Sequence, residues 1–345
     1  MIPIKNIYYM LSYAFRVLKH NNYKSIDSED FEHIEDLYAA ILSLAIASQI
    51  KQGLYREYVA YTEPIKVIKG KLDIIGTIQQ RIQHKINITC EYDELSENNI
   101  YNKIIKTTAL YLIRKATKHD PKEHLKKLMQ YFTSIDTINP YSIKWDTLTF
   151  KRNNQTYEMM MFICSSVMKH LLLSDTEGNS HMDTFLDDQK MSRLYEKFIL
   201  GYYQYEFPSY HAESRQIKWN FDSDSESQNI ESFPQMLCDV MLKRNSKTLI
   251  IDAKYYTQTM LEHLEKKTLI SANLYQIYAY VKNYAATQNS ETVSGMLLYA
   301  KTDEETTPKA EVSIGGNRFI IRTLDMNQNF TMIKKQLDEI GEKWL

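Results

Sequence analysis

Apolar and polar positions along the chain change period repeatedly, and each period predicts an element. Residues 7–18, IYYMLSYAFRVL, are apolar all round and predict a buried helix. Phe31–Gln49 predicts a second helix; Asp27-Ser28-Glu29 comes just before it and suits the positive end of a helix dipole. Residues 54–68 carry Val59, Tyr61, Ile65, Val67 and Ile68 in alternation and predict strands, with Gly70 marking a turn or a helix entry. Asn98–Lys115 and Glu123–Phe132 predict further helices, the second opening near Pro121, and Asn139-Pro140 ends that stretch. Gln155–Leu172 and Met191–Phe207 predict long helices, separated by the polar stretch Ser174–Gln189. Asp222–Ser232 is acidic and predicts an exposed loop. Val293–Ala300 predicts a core strand. Glu311–Ile314 and Arg318–Leu324 predict a hairpin about Gly315-Gly316, and a last helix starts near Phe330.

The most informative stretch is 234–256, PQMLCDVMLKRNSKTLIIDAKYY. Two apolar runs, Met236–Leu242 and Thr248–Ile251, flank the polar Lys243–Lys247, which is a hairpin pattern. With Asn245 and Ser246 as the turn, Arg244 faces Lys247, and counting outward puts Asp239 opposite Asp252. Side chains two apart in a strand share a face, so Asp252 and Lys254 point the same way. Facing carboxylates repel, which destabilises a strand pair. A divalent ion with oxygen ligands relieves that repulsion; Mg²⁺ takes one or two carboxylates and keeps several waters. An Asp-x-Lys at a strand end is also common where strands emerge into water, and a one-residue slip would move Asp239 to the other face. Further on, Asn273–Tyr284 predicts a helix with Gln276 and Tyr280 four apart on one side.

The order Asp239, then Asp252-Ala253-Lys254, then Gln276-x-x-x-Tyr280 resembles the PD-(D/E)xK nuclease superfamily in its RecB-like branch. Across nearly the whole length, IPIKNIYYMLSYAF, VIKGKLD, LIIDAKYY and NLYQIYAYV follow in order the pattern of the McrC family, the nuclease subunits of McrBC modification-dependent restriction systems. The chain departs from the superfamily label at one point: Cys238, not Pro, precedes Asp239. The resemblance implies an α+β protein with a mixed N-terminal domain of helices around a small β element over residues 1–150, which would bind the partner. An α/β/α core like that of restriction endonucleases would follow over 151–345. It also implies a metal, Mg²⁺, on Asp239, Asp252 and the Ala253 carbonyl, with Lys254 beside it. Gln276 and Tyr280 would contact Lys254 or the DNA backbone. A helix before the hairpin often adds a carboxylate in this superfamily; Glu196 is the candidate, and a plain surface glutamate is the other reading. The implied substrate is duplex DNA with modified cytosine, recognised by a McrB-like GTP-driven AAA+ ring whose turnover the chain would stimulate. A catalytically inert activator of that ring, or a free-standing nuclease, are the other functions the motifs allow.

Composition narrows this further. The 345 residues suffice for two domains, and 43% hydrophobic with 25% charged residues is ordinary for a globular protein. The three cysteines, Cys90, Cys164 and Cys238, are far apart, which argues for a reducing, cytoplasmic setting and against zinc or a four-cysteine iron–sulfur cluster. The start of the chain has no signal-peptide layout. The longest apolar run, Leu37–Ala47, falls short of the roughly 20 residues a bilayer needs, so no membrane is expected. A net charge of −1 is unlike a stand-alone DNA-binding domain, so a local basic surface or a partner must supply affinity. Lys66, Lys69, Lys71, Arg81 and Lys85 offer either a basic binding face or a solvated surface. No P-loop Gly-x-x-x-x-Gly-Lys-Ser/Thr is present, so GTP is left to the partner. Tyr8-Tyr9 and Met159–Met161 read as core.

Overall fold

A computed structural model describes residues 2–19, 26, 30–150, 155–177, 188–221, 230–255, 260–263, 266–288, 292–301 and 307–345. In chain order its elements are α1 (Ile4–Ala14), α2 (Ile34–Gln52), β1 (Glu57–Ile65), β2 (Lys71–Leu72), α3 (Ile74–Ile82), β3 (Ile88–Ser96), α4 (Ile100–Lys115), α5 (His119–Met129) and α6 (Gln155–Glu177). Next come α7 (Asp188–Glu206), β4 (Glu213–Ile217), β5 (Met236–Arg244), β6 (Lys247–Lys254), β7 (Met260–His263), β8 (Lys266–Leu269), α8 (Ser271–Ala286), β9 (Thr292–Ala300), β10 (Ala310–Ile314), β11 (Asn317–Leu324) and α9 (Phe330–Trp344). The α+β class holds. The expected helices and both hairpins form, their ends displaced by a few residues. Most of the expected loop at 222–232 and much of the 174–189 stretch lie outside the described residues. Several elements go beyond the expectations: β2, α3 and β3, the edge strand β4, and the two-stranded ribbon β7–β8.

Contacts divide the chain into two compact units, residues 33–182 and residues 1–32 with 183–345. This differs from a single break at residue 150. The reason lies in α1, whose apolar surface belongs with the C-terminal half. Buried Asn6 donates from Nδ2 to the carbonyls of Met326 and Gln328, each at 2.8 Å. Tyr9 stacks on Phe330 with ring centroids 4.0 Å apart, and Tyr13 packs on Phe198 and Tyr202 of α7 while its hydroxyl donates to Glu206. Gly201 of α7 makes this approach possible, because a Cβ there would come within 2.1 Å of the Tyr13 carbonyl oxygen. Gly201→Ala is therefore expected to push α1 off α7. Overpacking of this kind costs about 1–3 kcal/mol, to be read as a lower midpoint in denaturant unfolding. An unchanged midpoint would show that α1 is loosely held.

The unit of residues 33–182 packs α2, α4, α5 and α6 around a core that includes Tyr38, Leu112, Phe132 and Met159. Asp36, in the acidic first turn of α2, accepts from the Thr117 and Lys118 amides (2.8 and 2.9 Å) and the Thr117 hydroxyl (2.7 Å), which fixes the entry to α5. The same unit carries a three-stranded sheet of order β1-β3-β2 with α3 beside it. Gly70, at φ +67°, is the turn the sequence marks.

The other unit is built on a six-stranded sheet of order β10-β11-β9-β6-β5-β4. β6, β9 and β11 run parallel to their neighbours among themselves, and the remaining pairs are antiparallel. β9 and β6 are almost wholly buried, and their near-continuous apolar runs are those of central strands. Gly315 and Gly316, at φ +57° and +86°, form the tight β10–β11 turn. α8 packs through Ile277, Val281 and Tyr284 on a cluster with Ile250, Met241, Leu297 and Phe319, while α7 packs on β5 and β6. Among the described residues no helix is long and apolar enough to cross a membrane.

Candidate active site

The β5–β6 hairpin has the register counted from the sequence: Arg244 pairs with Lys247, and pairing continues to Val240 with Ile251. Asn245 sits at φ +54°, the left-handed conformation that a two-residue hairpin turn requires. The paired ladder then stops, one residue short of Asp239 and Asp252. On the other side of β5 the register shifts. Glu213 of β4 pairs with Met241 but Arg215 pairs with Cys238, so β5 carries one extra residue around Asp239 and Val240. That is a β-bulge, which opens a ladder and re-aims a side chain. Asp239 Oδ2 accepts the Ala253 amide N–H at 2.8 Å. The carboxylate takes a bond that an unbroken ladder would give to main chain. In antiparallel pairing a residue's N–H and C=O face the same neighbour, so the Ala253 carbonyl is aimed the same way.

Asp252 is 1% exposed. Lys254 Nζ lies 2.9 Å from its Oδ2, while Oδ1 is buried and receives no hydrogen bond from any described residue. Lys254 also donates to Gln276 Oε1 at 3.0 Å. Gln276 Nε2 donates to the Tyr280 hydroxyl at 2.8 Å, and that hydroxyl donates to the Leu237 carbonyl at 3.1 Å. A continuous polar chain thus runs from Asp252 through Lys254, Gln276 and Tyr280 back to β5, two residues before Asp239. One turn of α8 supplies both Gln276 and Tyr280, as the i, i+4 spacing requires. Glu196 of α7 is half-buried and accepts from Ser192 Oγ at 3.1 Å.

The electrostatics are those of crowded, poorly solvated carboxylates. Burial, then the charges of Asp252 and Glu196, push Asp239 up to about 7, against the Ala253 bond and Lys254. Burial raises Asp252, and Lys254 opposes it. Burial also raises Glu196; the Ser192 bond and Lys254 counter this, and the charge of Asp252 adds to it. An oxygen-ligated cation fits this donor set: the buried Asp252 carboxylate, with an oxygen lacking a hydrogen bond, and the half-buried Asp239 carboxylate, beside an inward-facing carbonyl. Among the described residues no three His, Cys, Asp or Glu side chains come together closely enough to hold a metal. Mg²⁺ can be held by only one or two carboxylates, since it keeps several of its waters.

A carboxyl held above its unfolded value favours the folded protein most when protonated. In chelator, the Asp239 contribution to stability is thus full below about pH 4 and is lost as pH rises through about 7, on the order of 4 kcal/mol. Asp239→Asn keeps an acceptor for the Ala253 amide and removes the charge. Its stability should exceed that of the parent increasingly from pH 5 to pH 8. Denaturant midpoints that run parallel across that range would contradict a titrating Asp239 as the cause.

Asp239, Asp252, Ala253, Lys254, Gln276 and Tyr280 are therefore brought together, and Glu196 is near enough to feel their charge. Sequence reasoning missed the β4 contribution. Ser214 Oγ donates to the Cys238 carbonyl at 2.9 Å, and the Cys238 thiol donates to the Arg215 carbonyl at 3.3 Å. The polar ESRQI of β4 carries too little apolar alternation to announce a strand.

Fold and site together define an α+β protein whose central hairpin ends in one buried and one half-buried carboxylate and a lysine. The chain belongs to the McrBC family: the model of the McrBC 5-methylcytosine restriction system component matches residues 4–300. It is 26% identical over 347 residues to the type IV methyl-directed restriction enzyme EcoKMcrBC of Escherichia coli (strain K12), covering 100% of this chain and 99% of that protein. Among solved structures it is similar to a chain of a half-complex of Thermococcus gammatolerans McrB AAA+ hexamers with bound McrC. That match has 18% identity and a TM-score of 0.47, covering 99% of this chain and 76% of the other. A second match, to the Thermococcus gammatolerans McrBC complex, has 18% identity and a TM-score of 0.39, covering 52% of this chain and 61% of the other.

Proposed function

We propose that this chain is the McrC-like, DNA-cutting component of a modification-dependent restriction complex, with a PD-(D/E)xK core of the RecB-like kind. The observation that carries the proposal is the convergence of Asp239, Asp252 and Lys254 where the hairpin ladder opens. Asp239, Asp252 and the Ala253 carbonyl would hold Mg²⁺, with Glu196 near enough to bias its charge. When bound, Mg²⁺ lowers the pKa of a ligated water and polarises a phosphate oxygen. Lys254 is aimed at the same place and orients the nucleophile or offsets charge developing on the phosphate. Gln276 and Tyr280 fix the Lys254 ammonium, so that it does not fold down wholly onto Asp252. None of these groups reads a base, which assigns recognition of the modified cytosine to a partner.

That partner is a McrB-like AAA+ GTPase ring, and residues 33–182 supply its docking surface. α3 is turned inside out for a surface helix. Asp73 caps it through the Ile75 amide, and Thr77 and Gly76 face Thr89 of β3. Ile74, Ile75, Ile78 and Ile82 are left largely in water, alongside exposed Val67, Ile68 and Ile86. A contiguous exposed apolar patch marks a protein partner. Of the basic residues singled out in the sequence here, Lys69 pairs with Glu94 at 2.9 Å and Lys71 with Glu91 at 3.6 Å.

The test is cleavage of cytosine-methylated plasmid by the purified chain in Mg²⁺, with and without the cognate ring and GTP. Double-strand cuts are expected only with ring, GTP and methylation together. Cutting by the chain alone would point to a free-standing nuclease, and no cutting under any condition would overturn the proposal.

A further inference from the structure

We infer that Ser214 is a positioning residue for Asp239, acting through the β5 bulge; the inference rests on the nuclease reading above. The bulge leaves β5 with one residue more than β4 between the Glu213–Met241 and Arg215–Cys238 pairs. Ser214 stands between those two pairs on β4. Its hydroxyl donates to the Cys238 carbonyl at 2.9 Å, on the peptide that leads directly into Asp239. The Cys238 thiol, itself fully buried, returns a bond to the Arg215 carbonyl at 3.3 Å. These two side-chain bonds tie the bulged segment to β4 where ladder pairing is irregular. From the α8 side, Tyr280 holds the Leu237 carbonyl at 3.1 Å. The peptide before Asp239 is thus pinned from β4 and from α8, and the carboxylate that emerges meets the Ala253 amide at 2.8 Å.

A bulge without its side-chain tie has more than one backbone arrangement, because the extra residue has no ladder partner to fix it. Losing the Ser214 hydroxyl frees the Cys238 carbonyl to rotate, and Asp239 then samples orientations that miss Ala253 and Asp252. Ser214 touches no reacting atom, and its side chain is at the edge of the sheet, so its removal leaves the core intact. The effect is confined to how Asp239 is presented to a cation.

The experiment compares the full-length chain, Ser214→Ala, Ser214→Thr and Asp252→Ala. Mn²⁺ affinity is read by electron paramagnetic resonance, and Ala253 amide exchange by NMR in chelator. In Ser214→Ala, Mn²⁺ should bind about 3–10-fold more weakly and the Ala253 amide should exchange faster, with circular dichroism unchanged. Ser214→Thr keeps the hydroxyl and should restore both. Second contacts behind a metal ligand typically carry 10–100-fold in affinity, and this one acts a step further removed. Parental Mn²⁺ affinity and exchange in Ser214→Ala would overturn the inference while leaving the nuclease reading standing. An absence of Asp252-dependent Mn²⁺ binding in the parent chain would overturn both.

Discussion

Asp252→Ala is expected to abolish DNA cleavage, by about 10³-fold or more, while leaving the chain folded and its stimulation of a GTPase ring intact. Asp252 is the most buried of the site's acids, and one of its oxygens has no hydrogen bond from any described residue. Removing the Asp252 carboxylate takes one partner from Lys254, which keeps its bond to Gln276 at 3.0 Å. Burial raises the Asp252 pKa, so its charged form is less favoured in the folded chain than in the unfolded one. Removing it also relieves the repulsion felt by Asp239. Thermal unfolding in chelator should therefore show a midpoint equal to or above the parent's, while plasmid cutting with ring and GTP disappears. Loss of GTPase stimulation in a folded Asp252→Ala chain would show that cutting and stimulation share residues. Retained cutting would remove Asp252 from the chemistry.

The second large effect concerns the exposed stripe of α3. Ile75→Asp together with Ile78→Asp should weaken ring binding by about 30-fold or more, the scale of a central interface residue. These side chains are 72% and 54% exposed. The pair of charges should therefore cost the free chain little stability, which separates a docking defect from misfolding. The Asp239, Asp252 and Lys254 geometry is untouched, so Mn²⁺ binding should persist. Titration of the ring with the double variant, read as GTP hydrolysis, checks this. Parental stimulation by the variant would place the docking surface elsewhere in the chain.

The hairpin was legible because two independent signals agree. A two-residue Asn-Ser turn, once assumed, sets the register, and the apolar runs on either side are consistent with that pairing, though a one-residue slip was open until the structure gave Arg244 against Lys247. The Gln276 and Tyr280 pair was legible from helical spacing. The bulge at Asp239 was not, because an extra residue in a strand looks like any other residue until its partner strand is known. The partner, β4, is short and polar. The place of α1 was hidden for a different reason. Tyr9 and Tyr13 announce burial but not against what, and their partners, Phe330 and Tyr202, lie far along the chain. The α3 surface was not read at all: Ile74, Ile75, Ile78 and Ile82 have the spacing of a core-facing stripe, yet it is the small polar side that packs on β3.

The proposed chemistry stands or falls on whether Asp239 and Asp252 hold a cation where the hairpin ladder opens. Anomalous diffraction from crystals of the chain soaked in Mn²⁺ reads this without relying on activity. One strong peak is expected within ligand distance of an Asp239 oxygen, Asp252 Oδ1 and the Ala253 carbonyl oxygen, with no peak in Asp252→Ala crystals. A Mn²⁺ site away from these residues, or one that survives Asp252→Ala, would contradict a catalytic cation on the two carboxylates.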